Sequence, residues 1–168
     1  KDYMDTLDVR GAAESLALAI GATCAWHPDL VRLFEPIEVE ETYDDLIFCF
    51  RAILAGRIAH VPMPLVHYRT GVGLSQYRAP TAKGRIAQER KNAMRAVDTY
   101  RQRLADCRAF APERSDVIQT LERQLEKSNF KKQVYTNWKK AAFESLYSPT
   151  KLALSLSVLN RILKAIRR

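Results

Sequence analysis

From Tyr43 the apolar residues Leu46, Ile47, Phe50, Ile53 and Leu54 recur at i, i+3, i+4 and i+7 spacing. This is the pattern of one wide helical face. Phe48 and Cys49 widen the face until only Arg51 and the first turn remain polar, so the helix should be buried on most sides. Thr42 and Asp45 have capping-box spacing at its start, and Gly56 supplies a left-handed C-terminal cap. The expected helix therefore spans Tyr43 to Ala55, with Phe50 and Ile53 in the core. On either side the pattern changes. Gly21 to Ala25 reads as a short apolar strand end, Arg57 to Val61 alternates as a strand does, and Leu65 to Tyr68 reads as an edge strand after Pro62 and Pro64. Together these predict a small sheet edge packed on the Tyr43–Ala55 helix.

Upstream, Asp2 to Ile20 reads as a helix with Leu7, Leu16 and Leu18 on its apolar side, and Pro28 opens a short helix to Phe34. Beyond Pro80 every segment has helical spacing. Lys83 to Arg108 places Ile86, Arg90, Ala93, Val97, Tyr100, Leu104 and Cys107 on one side. A second helix from Pro112 carries a stripe of Val117, Ile118, Leu121, Leu125, Val134 and Trp138, with a kink expected at Ser128-Asn129. Ser148-Pro149, an N-cap followed by proline at the first helical position, begins a last helix. Its apolar face is Leu152, Leu156, Leu159, Leu163 and Ile166.

Charge divides the chain. Of 168 residues, 1–79 hold 7 Lys/Arg and 11 Asp/Glu, a net −4, whereas 80–168 hold 20 and 8, a net +12. The division near Ala79-Pro80 predicts two parts with different surfaces. Hydrophobic content of 47% suffices for a core. No apolar run reaches the ~18 residues of a membrane span, and the start does not read as a signal peptide. Cys24, Cys49 and Cys107 lack metal-ligand spacing and read as reduced thiols.

The acidic cluster Glu40, Glu41, Asp44 and Asp45 at the mouth of the apolar helix is the candidate chemistry. Asp44 and Asp45 admit a plain reading, stabilisation of a helix N-terminus by about 0.3–1 kcal/mol each. A second reading comes from resemblance. Asp44-Asp45-Leu46-Ile47-Phe48-Cys49-Phe50-Arg51 resembles the acidic motif of family 2 glycosyltransferases, in which an acidic pair opens a helix and an Arg follows six residues after the second acid. Leu65-Val66-His67-Tyr68-Arg69 and Gly71-Val72-Gly73-Leu74-Ser75 resemble a downstream segment of that family. Ile20-Gly21-Ala22-Thr23-Cys24-Ala25-Trp26 and Leu33-Phe34-Glu35-Pro36-Ile37 resemble the acceptor-side strand and the turn before the acidic pair. The four segments occur in the family's order, within about residues 18–76.

The resemblance implies an α/β fold: residues 1–79 as the acceptor-side portion of a GT-A-type domain, short strands plus helices, and 80–168 as a mainly α-helical basic extension. It implies inverting transfer of a sugar from a nucleotide-sugar donor to a hydroxyl of a glycan or lipid-linked acceptor. Asp45 aligns with the family's catalytic base, and Asp44, in place of the more usual Glu, would orient its neighbour or the acceptor. Arg69, Gly71, Gly73 and Ser75 would lie toward the donor diphosphate, and Gly21, Trp26 and His27 toward the acceptor. Each also has a plain reading: Arg69 as a surface residue, the glycines as a turn, His67 as a strand residue, Trp26 as core. A divalent Mg or Mn ion is expected in such enzymes. Some relatives place a His ligand where Gly71 stands, and no Asp-x-Asp precedes Gly21, so no metal ligand is identified. A nucleotide-binding half of roughly 90–100 residues would be absent, leaving this fragment inactive alone.

A different class of function remains open. The basic helical part would be a membrane-surface or interaction module without catalysis, with the amphipathic segment 150–168 on an anionic surface, or a scaffold that pairs with itself. Nucleic acid is not expected, because the basic residues lie on every helix face without aromatic interleaving. Cytoplasmic location, at the inner face of the plasma membrane, is the expectation that goes with these readings.

Overall fold

A computed structural model describes residues 8–61, 63–67 and 79–167, with side chains described as far as Lys164. Among these residues the chain forms helices α1 (Val9–Glu14), α2 (Pro28–Arg32), α3 (Asp44–Leu54), α4 (Ala82–Phe110), α5 (Ser115–Thr136), α6 (Trp138–Ser145) and α7 (Pro149–Arg167). A single 3-10 turn covers Gly21–Thr23. No helix among them is long and apolar enough to cross a membrane.

The expected α/β fold with short strands is thereby corrected: the described fold is all-helical, without a strand. The strand end at Gly21–Ala25 is instead a tight turn, in which Thr23 N–H donates to Ile20 C=O and Cys24 N–H to Gly21 C=O. The alternation in Arg57–Val61 makes no ladder. Ile58, Val61, Leu65 and Val66 are exposed rather than turned onto a core. Alternating side chains alone do not make a strand; the backbone needs a neighbouring edge to bond. Tyr68 and Pro62 lie outside the described residues.

Two compact units result, residues 1–64 with 95–125, and residues 65–94 with 126–168. In the first, α3 packs on α1 and α2. Phe50 and Ile53 are buried as expected, with Leu18, Leu30, Phe34, Leu104, Val117 and Leu121 around them. Burial of each such side chain contributes about 1.5–3 kcal/mol. α3 ends in a Schellman motif: Gly56 takes φ +63°, its N–H bonds Ile53 C=O, and Arg57 N–H bonds Ala52 C=O. α1 is much shorter than the expected Asp2–Ile20 helix, whose first residues lie outside those described. Asp8 caps its start by accepting from Gly11 N–H, and Ser15 leaves it in an extended conformation. There Ser15 Oγ accepts from Ala17 N–H, a side-chain competition with helix that serine favours.

The principal departure from the hydrophobic pattern is a polar stripe on α4. Thr99, Gln102, Arg103 and Asp106 are all buried, and they too stand at i, i+3, i+4 and i+7. Arg51, expected to be the polar residue of α3, is only 2% exposed. It makes a bidentate pair with Asp106, Nε to Oδ2 and Nη2 to Oδ1, both 2.7 Å, and donates to Glu35 C=O at 2.8 Å. Arg103 is buried without a carboxylate of its own. Its guanidinium donates to the carbonyls of Ala12, Ser15 and Leu46, which closes the C-terminal end of α1 and ties it to α3. Burial lowers its pKa to about 10, so it stays charged at neutral pH.

In the second unit α7 lies on α6. Glu144 joins them, accepting from Gln133 Nε2 and Lys151 Nζ, each at 2.9 Å, and Ser145 Oγ meets Ser155 Oγ at 2.7 Å. α5 runs unbroken through Ser128-Asn129, with Ser128 buried, so the expected kink is absent. Trp138 is not part of the α5 stripe; it begins α6 and is 66% exposed.

Two outcomes are expected. Asp106→Ala should destabilise the protein by about 3–5 kcal/mol, since it strands a buried guanidinium. Arg51→Met combined with Asp106→Leu should recover most of that loss in urea unfolding. Independence of the two changes would show that the ion pair is not what matters. The second concerns acid. The hydrogen bonds from Gln133 and then Lys151 hold the Glu144 carboxyl below its ordinary pKa. Its stabilisation is thus present above the unfolded value, about 4.3, and is lost as pH falls through the folded one. Thermal melts followed by circular dichroism should show Glu144→Gln to lose less stability than wild type on acidification through that range.

Candidate active site

The segment Glu35–Thr42, which delivers the acidic cluster to α3, has no strand to satisfy its backbone. α4 does so with side chains. Gln102 Oε1 accepts from Glu38 N–H at 3.0 Å and Asp98 Oδ2 from Glu41 N–H at 3.2 Å. Thr42 Oγ1 meets Thr99 Oγ1 at 2.8 Å, and the Arg95 guanidinium lies 3.8 Å from the centre of the Tyr43 ring. The expected capping box is therefore not formed. Thr42 is turned to α4, the N-cap position is Tyr43, and no side chain bonds the helix from there.

The two adjacent acids take different parts. Asp44 is exposed, and its Oδ1 accepts from the neighbouring Asp45 N–H at 2.9 Å. This is the local service to a helix N-terminus that the plain reading assigned to both. Asp45, about 100° further round the helix, is half-buried and reaches across 24 residues: its Oδ2 accepts from Gly21 N–H at 2.9 Å. Its other oxygen, Oδ1, is buried and has no hydrogen-bond partner among the described residues. A carboxylate with one oxygen anchored and the other unsatisfied is oriented to accept one more proton or hydrogen bond.

Gly21 is needed for this approach. A Cβ at Gly21 would stand 3.2 Å from Asp45 Cβ and 3.5 Å from its Oδ2, close enough to push the carboxylate aside. From Gly21 the chain follows the flank of α3. Cys24 lies beside Cys49, and the Trp26 ring is 5.7 Å from that of Phe48, centre to centre. Phe48 is one helical turn beyond Asp45, so Trp26 borders the same flank while packing partly on the core. His27 is exposed and caps α2, accepting from Asp29 N–H at 3.3 Å. Burial, and then Cys24 beside it, pushes the Cys49 thiol up to about 12. That thiol stays protonated and does not serve as a nucleophile at neutral pH.

Among the sequence-predicted residues, then, Gly21 and Asp45 meet, Trp26 lies on the same flank, and Asp44 and His27 perform local capping. Arg69, Gly71, Gly73 and Ser75 lie outside the described residues. Arg51, the Arg of the acidic motif, points to Asp106 rather than to the Asp45 carboxylate. The residues that sequence reasoning missed, Asp98, Thr99 and Gln102, position the loop ahead of Asp45. Their helical spacing was visible, but their polarity reads as surface. The described residues contain no group of three His, Cys, Asp or Glu able to hold a metal ion.

No protein-family model, curated protein or solved structure matches the chain.

Removal of the Asp45 carboxylate should free the Gly21 amide. In Asp45→Ala its hydrogen exchange should accelerate strongly, while Gly56 and the α3 interior keep their protection. Gly21→Ala should cost about 1–3 kcal/mol by overpacking and release the same amide. Unchanged exchange at residue 21 in both variants would mean that the contact does not hold in solution.

Proposed function

We propose that this chain carries the acceptor-side part of a glycosyltransferase resembling family 2, with Asp45 as the general base. The observation that supports it most is the bond between Gly21 N–H and Asp45 Oδ2. Two segments that resemble separate motifs of that family come together at one carboxylate, whose second oxygen is buried and unpartnered. The reading concerns this site and does not depend on the corrected strands.

In the proposed step, the Asp45 carboxylate accepts the proton of an acceptor hydroxyl. The hydroxyl oxygen attacks the anomeric carbon of the nucleotide sugar, the bond from that carbon to the diphosphate oxygen breaks, and the configuration inverts. The Gly21 amide fixes the carboxylate's rotamer, and Asp44 at the helix mouth orients the acceptor. Trp26 and His27 border the acceptor. The donor diphosphate is assigned to Arg69, Gly71, Gly73 and Ser75. Residues 1–64 with 95–125 hold the acceptor side, and the basic surplus falls in 65–94 and 126–168, at the cytoplasmic side of a membrane where lipid-linked glycans are available.

The test is transfer from a panel of nucleoside-diphosphate sugars to glycan or polyprenyl-linked acceptors by the full-length protein. Asp45→Asn should lower the rate by about 10²–10⁴-fold, the usual worth of a general base, with the fold intact by circular dichroism. Asp44→Asn should cost far less. A silent Asp45→Asn with an inactive Asp44→Asn would reverse the assignment of the base. No donor consumed with any sugar would sink the proposal.

A further inference from the structure

The second unit presents a surface that catalysis does not use. The face of α7 expected from its spacing is not packed. Leu152, Leu156, Leu159 and Leu163 are between 42% and 57% exposed. α7 instead seats through the adjoining flank, where Lys151 pairs with Glu144, Ser155 meets Ser145, and Val158 is 2% exposed. The leucine stripe, about 100° from that flank, is left to the outside. α6 and the turn after it add Trp138, Phe143, Leu146 and Tyr147, all more than 60% exposed. The leucines therefore do not bury against Trp138, Phe143 and Leu146. One helix pair exposes eight large apolar side chains, well beyond the scattered singles of an ordinary surface.

Charge decides what covers them. Residues 65–94 and 126–168, the second unit, contain 16 Lys/Arg against 3 Asp/Glu, a net +13; the first unit has 11 against 16, a net −5. The cations Lys139, Lys140, Arg161 and Lys164 stand exposed on the same two helices. A second copy would bring +13 against +13, so self-association through this face is opposed. Nucleic acid would leave the leucines in water. An anionic bilayer satisfies both parts: phosphates and carboxylates for the cations, the acyl boundary for the leucines, and the headgroup level for Trp and Tyr, whose rings are apolar with one polar end.

We propose that α6 and α7 together form an interfacial membrane-docking surface, with Trp138 and Phe143 of α6 and Tyr147 of the turn after it as aromatic anchors and the α7 leucines as its apolar floor. The site is thus a two-helix surface rather than the terminal helix alone. It lies parallel to the bilayer and does not span it. It stands independently of the glycosyl-transfer reading.

The experiment uses the whole chain with vesicles of phosphatidylcholine and phosphatidylserine, compared with phosphatidylcholine alone. The chain has two tryptophans, so Trp26→Phe leaves Trp138 as the reporter. Binding to the anionic vesicles should shift Trp138 emission to the blue, and phosphatidylcholine alone should not. Leu156→Glu with Leu159→Glu should abolish cosedimentation without lowering the melting temperature, because both side chains are exposed. A Lys139→Ala, Lys140→Ala, Lys164→Ala variant leaves the apolar residues intact and should weaken binding about 100-fold, at roughly five-fold per cation near an anionic surface. Raising salt should weaken the wild type likewise. The proposal is overturned if anionic vesicles leave Trp138 emission unchanged, or if the leucine variant still cosediments. It is equally overturned if sedimentation velocity shows a dimer that Leu156→Glu dissociates, or if the protein prefers nucleic acid to vesicles.

Discussion

Arg51 and Asp106, both 2% exposed and joined by two 2.7 Å hydrogen bonds, are the constraint on which the first unit rests. Neither charge is tolerable in the core alone, because desolvating an isolated ion costs more than any neighbouring apolar contact returns. Each therefore fixes the other, and with them α3 and α4. Arg103, one helical turn from Asp106, extends the constraint by gathering the carbonyls of Ala12, Ser15 and Leu46. The apolar residues supply most of the burial energy, but they would accept several rotations of α3. The guanidiniums accept one.

That rotation is what places Asp45. With α3 held at Arg51 and the loop before it held by Asp98, Thr99 and Gln102, the first turn of α3 meets the Gly21 backbone at hydrogen-bond distance. The site is therefore built by a long-range polar framework and not by the local sequence around it. Asp44 shows the contrast: with only its neighbour's amide to bond, it stays exposed and does what any first-turn acid does.

The legible and illegible parts of this chain separate along the same line. Periods and caps are local, and they predicted the core face of α3, its Gly56 terminus, the extents of α4 and α7, and Pro149 at the first position of α7. Pairings at long range were not legible from pattern. Arg57–Val61 alternates as a strand would, yet no edge among the described residues receives it. Arg51 was read as the polar side of α3 because its partner stands 55 residues away. The α4 stripe was hidden because a buried polar face has the composition of a solvated one, and on α7 the buried residue is Val158 while the more regular leucines are outside. The meeting of Gly21 and Asp45 was suggested only by the order of motifs resembling a known family.

The separation of Arg51 from Asp106 also governs what the chain experiences while it is being made. At a synthesis rate of ~5–20 residues per second, Arg51 exists for about 3–11 s before Asp106 is added. The first unit takes its remaining residues from 95–125, so Phe50 and Ile53 wait as long for Leu104 and Val117. Contacts of such sequence separation close late and slowly. During that interval the nascent segment holds an unpaired cation amid apolar side chains, the kind of exposed surface that invites aggregation. Slower codons placed between positions 64 and 95 would lengthen this vulnerable period, whereas a pause beyond position 125 would not.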